Sequence, residues 1–299
     1  MQKLSIRPCN HVAHASACDS TLSQMLHKLK HALQCAIFLL LSSLPFLSCN
    51  EEIISDYKLQ LVVSSVIFEG GGIDSILVRR TLPIAEVYNR DSTFISGADV
   101  RITTGGKEFR LTEYPSKPGR YFLPKDSLII HSRATYTLDV RALGLHAWGS
   151  TTVPDTIRLI KRIKDTLEYN ERPLPVCTWT RAERRADYAI EILSLDSAAT
   201  ETPDTTGLRK EFRDSTNKSE YRNYIPNETL AIPWLPFIYY GATLIRIMAI
   251  DENFQTYFKL RINGGNVAQG NLTSIYGDGF GLFGSASQDT MRTFVKKKE

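Results

Sequence analysis

Six histidines and five cysteines are the residues from which a metal site or a thiol nucleophile would be built, and most of them sit together. His11, His14, His27, His31, Cys9, Cys18 and Cys35 all precede Cys49, which leaves His131, His146 and Cys177 for the rest of the chain. Two histidines 15 positions apart lack zinc-ligand spacing, and a single cysteine cannot close an intramolecular disulfide. Cys177, between Val176 and Thr178, reads as a small buried hydrophobe. No G-x-S-x-G elbow or H-E-x-x-H pair is present, so nucleophilic and zinc-hydrolase centres have no starting point. Carboxylates are plentiful, but no pair is singled out for glycoside hydrolysis. Asp251-Glu252-Asn253 resembles a piece of a calcium loop and lacks the spaced oxygen ligands and the twelfth-position Glu. Gly279-Phe280-Gly281-Leu282-Phe283-Gly284 spells G-x-G-x-x-G, but leaves no room for a following βαβ unit. A glycine-kinked edge strand or close backbone packing is the better reading of it. The strongest candidate for ligand contact is the aromatic group Trp234, Phe237, Tyr239 and Tyr240, broken by Pro233 and Pro236. It would form a platform for a stacked sugar or peptide, against the alternative of a core or domain interface. No catalytic residue, metal ligand or cofactor is expected from these patterns.

The 299 residues are 42% hydrophobic and 23% charged, ordinary globular composition with room for about two domains. The formal charge of +4 is mostly local. Lys3, Arg7, Lys28 and Lys30 against Asp19 carry +3, leaving a near-neutral body after Cys49 with no footprint for nucleic acid. The first 49 residues read as a leader. Lys28 and Lys30 form a positive region, and Ala36–Leu47 is an apolar run of about 12 residues, short of the ~20 that a spanning helix needs. Met25 opens a conventional signal of this kind, so translation is expected to start there. Phe46-Leu47-Ser48-Cys49 resembles a bacterial lipobox, in which the cysteine is lipidated and becomes the first mature residue; the alternative is a plain secretory signal. Asn50, Glu51 and Glu52 resemble the export signal that carries Bacteroidetes lipoproteins to the cell surface. A triacylated cysteine at position 49 would anchor the protein stably, at about 0.8 kcal/mol per buried methylene. The expected location is the outer membrane, at the cell surface or on the periplasmic face.

The elements that must position these residues read as strands. Leu59, Leu61 and Val63 alternate with polar neighbours, as do Val100 and Ile102, and Tyr136, Leu138 and Val140. Gly105-Gly106 marks a two-residue hairpin. About seven short strands over residues 57–155 predict an immunoglobulin-like β-sandwich, preceded by a tether at 50–56. Residues 156–178 read as a connector, whose basic run Arg158–Lys164 is a solvated strand or helix. A second β-rich domain is expected over 179–295, with a polar, mobile insertion at 194–228 and strands at Thr243–Ile250 and Thr256–Ile262. The fold class is all-β.

Three places carry a family resemblance. They are Leu61-Val62-Val63 with Arg79–Pro83; Ile95–Ile102 continuing to Gly119-Arg120-Tyr121 and Tyr136–Val140; and the closing Asn271–Gly284 segment. In that order the mature chain resembles the Bacteroidetes outer-membrane lipoproteins grouped as domain of unknown function 4249 (DUF4249). The resemblance implies a lipoprotein without an established reaction, often encoded near TonB-dependent outer-membrane transporters. The expected function is a non-enzymatic binding or accessory module at the outer membrane, with a transporter as partner. A surface hydrolase acting on glycans or peptides is the alternative, and an adhesive or structural module the second.

Overall fold

The computed structural model describes residue 30 and residues 57–84, 86–196, 200–203, 220–225, 227–262 and 273–298. In chain order the strands are β1 (Leu61–Phe68), β2 (Ile73–Arg80), β3 (Asp99–Thr104), β4 (Lys107–Arg110), β5 (Thr112–Glu113), β6 (Arg120–Leu123), β7 (Thr135–Ala142) and β8 (Leu145–Thr152). They continue as β9 (Leu159–Lys161), β10 (Thr166–Glu168), β11 (Val176–Trp179), β12 (Asp187–Ser194), β13 (Glu220–Ile225), β14 (Thr229–Ala231) and β15 (Gly241–Ile250). A helix, α1 (Glu252–Ile262), then precedes β16 (Ile275–Gly277) and β17 (Gly279–Lys296). The protein is nearly all-β, as its alternating apolar pattern predicts.

Period-two burial builds the first core. β1 buries Leu61, Val63 and Ile67, and β7 buries Tyr136, Leu138 and Val140, while the intervening side chains lie on the opposite face of each strand. Each such aliphatic residue contributes about 1.5–3 kcal/mol on burial. β1, β2, β6 and β5 lie at one end of a nine-stranded sheet ordered β13-β12-β15-β17-β1-β2-β6-β5, with β10 paired to β17. A five-stranded sheet ordered β16-β8-β7-β3-β4 supplies the facing wall. Side chains from both walls form one hydrophobic cluster, in which Ile76, Val78 and Tyr121 meet Val100, Ile102 and Ala147. The chain changes sheets between β4 and β5 at Leu111, whose N–H still bonds Val100 O at 2.9 Å.

A second cluster gathers Ile157, Leu167, Cys177, Trp179, Tyr188, Ile190, Ile245 and Ile247. It lies against β12, β15 and the later half of β17, and draws on the three-stranded sheet β14-β11-β9. The basic run Arg158–Lys164 contains strand β9, and the polar stretch 194–228 contains strand β13. Residues 57–299 form one compact unit, because β17 serves both clusters. Its first half runs parallel to β1, from Leu61↔Gly279 to Phe68↔Ala286. Its second half runs antiparallel to β15, from Ile250↔Ala286 to Gly241↔Val295. Phe283 enters the first cluster; Met291 and Val295 enter the second.

Two sequence expectations change here. Thr256–Ile262 is not a strand but belongs to α1. Asp251 caps this helix: its Oδ1 accepts the Phe254 N–H at 2.9 Å, and its carbonyl accepts the Gln255 N–H at 2.9 Å. The helix lays Phe254 and Tyr257 against Met248, Ile250, Leu282 and Ala286, a burial that alternation along the sequence does not reveal. The glycine-rich run at 279–284 is the opening of β17, in the sheet interior rather than at an edge. Gly281 has φ of 136°, and a Cβ there would come within 1.9 Å of Val63 O. The motif is a close approach between parallel backbones, with no phosphate cradle.

Candidate functional site

Alternation that sends Ala147, Gly149 and Thr151 of β8 inward sends His146, Trp148, Ser150 and Thr152 outward. The register then sets a row across the outer face of the five-stranded sheet: Tyr276 opposite Trp148, Trp148 opposite Asp139, Asp139 opposite Arg101, and Arg101 opposite Arg110. Neighbouring strands are ~4.8 Å apart, so the row spans roughly 19 Å. One end is aromatic. Trp148 is 43% exposed and Tyr276 56% exposed, large apolar areas that the core does not need. The Trp148 ring leans over Gly277 on the adjacent strand; a Cβ at Gly277 would stand 2.3 Å from the ring and 2.5 Å from His146 O. The His146 ring lies at 5.2 Å from that of Trp148, and its Nε2 meets Asp139 Oδ2 at 2.5 Å. The other end of the row is ionic. Asp99 Oδ2 accepts from Arg101 at 2.6 Å, its Oδ1 forms an ion pair with Arg110 at 3.0 Å, and Arg101 also reaches Glu108 at 3.0 Å. The hydrogen bond from Arg101 chiefly holds the Asp99 carboxyl below its ordinary pKa.

Along β8 the strip passes into a cleft. Ser150 and Thr152 line it with Arg184, Arg185, Glu252 and Asn253, around a space of about 370 Å³. Arg185 is committed to the scaffold, stacked 4.2 Å from the Tyr188 ring centre and bonded to Ala182 O at 2.5 Å and Glu228 at 3.2 Å. The Arg184 guanidinium is exposed and has no ion pair among the described residues. Asn253 spends both N–H groups of its amide on Ser150 O and Phe283 O, each at 2.8 Å, which leaves its Oδ1 as an acceptor for the cleft.

A buried polar seam forms the floor. Thr151 Oγ1 lies 2.5 Å from Asp251 Oδ2 and 2.7 Å from Ser285 Oγ. One hydroxyl proton can be donated only once, so Thr151 donates to the carboxylate and accepts from Ser285. Asp251 Oδ1 also accepts the Ser285 N–H at 3.1 Å. Burial pushes the Asp251 carboxyl above its ordinary pKa despite these bonds. Nearby, buried Asp155 accepts from Arg133 Nε and from Arg184 N–H at 2.8 Å, while its carbonyl accepts from Ser287 Oγ at 2.6 Å. The Arg184 N–H bond leads in lowering its pKa. With its oxygens consumed in a helix cap, Asp251 is poorly placed to move a proton to a ligand.

The sequence candidates fall elsewhere. Trp234 and Phe237 are buried in the second cluster, with the Trp234 indole N–H donating to Glu171 O at 3.1 Å. Tyr169 packs edge-on against Trp234 and Tyr240, and Tyr240 is partly buried against the cluster. Tyr239 is half-buried and bridges Glu201 through its backbone. Cys49, Asn50, Glu51 and Glu52 lie outside the described residues. Cys177 is buried, and desolvation pushes its thiol up to about 11, so it stays protonated and inert at neutral pH. Among the described residues no group of three His, Cys, Asp or Glu is placed to hold a metal, and no helix is long and apolar enough to cross a membrane. The exposed Trp148–Tyr276 pair escaped sequence reasoning. Its signal was present in Ala147-Trp148-Gly149, where two small residues flank one large aromatic in an alternating strand.

A family model described as domain of unknown function (DUF4249) matches residues 50–292, most of the chain. No curated protein matches the chain.

Proposed function

The chain belongs to the DUF4249 family, and from that premise we propose that it is a non-enzymatic binding lipoprotein of the outer membrane that captures a glycan on the outer face of its five-stranded sheet. The observation that carries this reading is the aromatic end of the row, Trp148 and Tyr276, held exposed on rigid strands beside a polar cleft. Sugar rings present apolar C–H faces that stack on indole and phenol, and hydroxyls that pair with Ser150, Thr152, Asn253 and Arg184. Sites built on strands lose little freedom on binding. The lipobox-like Phe46-Leu47-Ser48-Cys49 supports attachment to a membrane, and Asn50-Glu51-Glu52 supports display at the cell surface. A TonB-dependent transporter is the proposed neighbour, receiving what the strip collects.

Titration of the purified protein with a panel of neutral and acidic oligosaccharides, followed by tryptophan fluorescence, tests this directly. Trp179 and Trp234 are buried, so a ligand on the strip perturbs Trp148 selectively. Trp148→Ala is expected to weaken binding at least ~10-fold, the cost of about 1.4 kcal/mol of stacking, with the circular dichroism spectrum unchanged. No binding across the panel, or equal binding by the folded variant, removes the glycan reading.

A further inference from the structure

The connection between β2 and β3 exposes apolar side chains that the sheets do not use. Ile84 is 80% exposed, Val87 89% and Tyr88 69%. Exposure of three large residues this close together marks a contact surface. Basic groups surround it: Arg79 and Arg80 line the adjoining depression of about 430 Å³, and Arg90 is exposed just beyond. Glu86 lies 3.9 Å from Arg80 and balances part of that charge.

The position of this surface in the chain suggests what covers it. The Tyr57 hydroxyl donates to Thr81 O at 2.7 Å, and Gln60 and Thr81 exchange backbone and hydroxyl bonds at 3.0 Å. Ile84 is three residues beyond Thr81, within roughly 11 Å along the chain. Eight peptide steps separate Cys49 from Tyr57, a reach of at most about 29 Å when fully extended. A lipid on Cys49 therefore holds Tyr57, and with it the hydrogen-bonded Thr81, within about 29 Å of the bilayer.

We propose that Ile84, Val87 and Tyr88 insert into the bilayer interface beside the lipid anchor, and so fix the orientation of the body on the membrane. The inference rests on the lipidation of Cys49. Apolar side chains with a tyrosine, rimmed by arginines, suit the headgroup boundary of an anionic leaflet, where the arginines meet phosphates and the apolar groups meet acyl chains.

The test uses the full-length protein in its own membranes, with a spin label on a Val87→Cys variant and, as reference, on a Leu143→Cys variant. Leu143 is exposed in the turn between β7 and β8, away from this connection in the chain. Collision with oxygen and with a water-soluble nickel chelate reports depth, and mass spectrometry of the N-terminal peptide reports Cys49. Lipidated Cys49 with the label at 87 favouring oxygen and the label at 143 favouring nickel supports insertion. Lipidated Cys49 with a nickel-accessible label at 87 overturns insertion and leaves the anchor standing. A label at 87 shielded from both colliders shows a protein partner there, which also overturns it. Unmodified Cys49 removes the anchor, and this inference with it.

Discussion

Gly277 and Trp148 show how the strip depends on single atoms. The glycine has φ of 83°, and the indole occupies the space a Cβ would need. Gly277→Ala is therefore expected to cost about 2 kcal/mol or more, read from urea unfolding, and, on the proposed glycan-binding reading, to lower affinity for the sugar because the ring must move. Beneath the strip, two buried carboxylates respond to pH with opposite signs. Asp155, held down first by the Arg184 N–H, stabilises the folded chain above its ordinary pKa of 3.8, and that contribution is lost as pH falls through the lowered value. Asp251, held up by burial, keeps its proton more tightly when folded; its contribution is present below 3.8 and is lost as pH rises through the raised value. Asp155→Asn should thus cost about 1–3 kcal/mol at pH 7 and less at about pH 3, below the ordinary carboxyl pKa. Asp251→Asn should show the reverse trend, since an amide can donate to Thr151, which then donates to Ser285. Urea midpoints at the two pH values that move in the same direction for both variants would contradict these assignments.

The elements divide into those that local pattern specifies and those that only tertiary contact specifies. β17 belongs to the second kind. Gly281→Ala places a methyl group against Val63 O and separates β1 from β17, so it is expected to abolish folding rather than trim stability, as shown by loss of soluble protein and of the native circular dichroism spectrum. The strands β1, β3 and β7 and the hairpin at Gly105-Gly106 were legible because fully buried residues on one face of each strand alternate with less buried ones on the other. The helix α1 was not, because Tyr257, Lys259 and Arg261 alternate with apolar residues and imitate a strand. Its real signal lies upstream, in the cap at Asp251. The candidate site was half legible. Aromatic residues beside prolines drew attention to Trp234 and Phe237, but composition does not say which way a ring faces, and these two face the core. Trp148 sits in a regular strand whose alternation fixes its outward direction, and Tyr276 joins it only through strand register.

At the scale of the molecule, two hydrophobic clusters share one strand, β17. Calorimetry is expected to show a single unfolding transition, because neither cluster keeps its wall once β17 leaves. Two separated transitions would show that the clusters melt independently. The parallel pairing of β1 with β17 has a further effect in time. β1 is the first described strand to be synthesised and β17 the last, and they meet across more than 200 residues of intervening chain. Contacts of such separation form late and slowly. A nascent polypeptide of this topology cannot pair β1 with β17 until its final strand has emerged, so the wall that both clusters share is the last part of the protein to come into being.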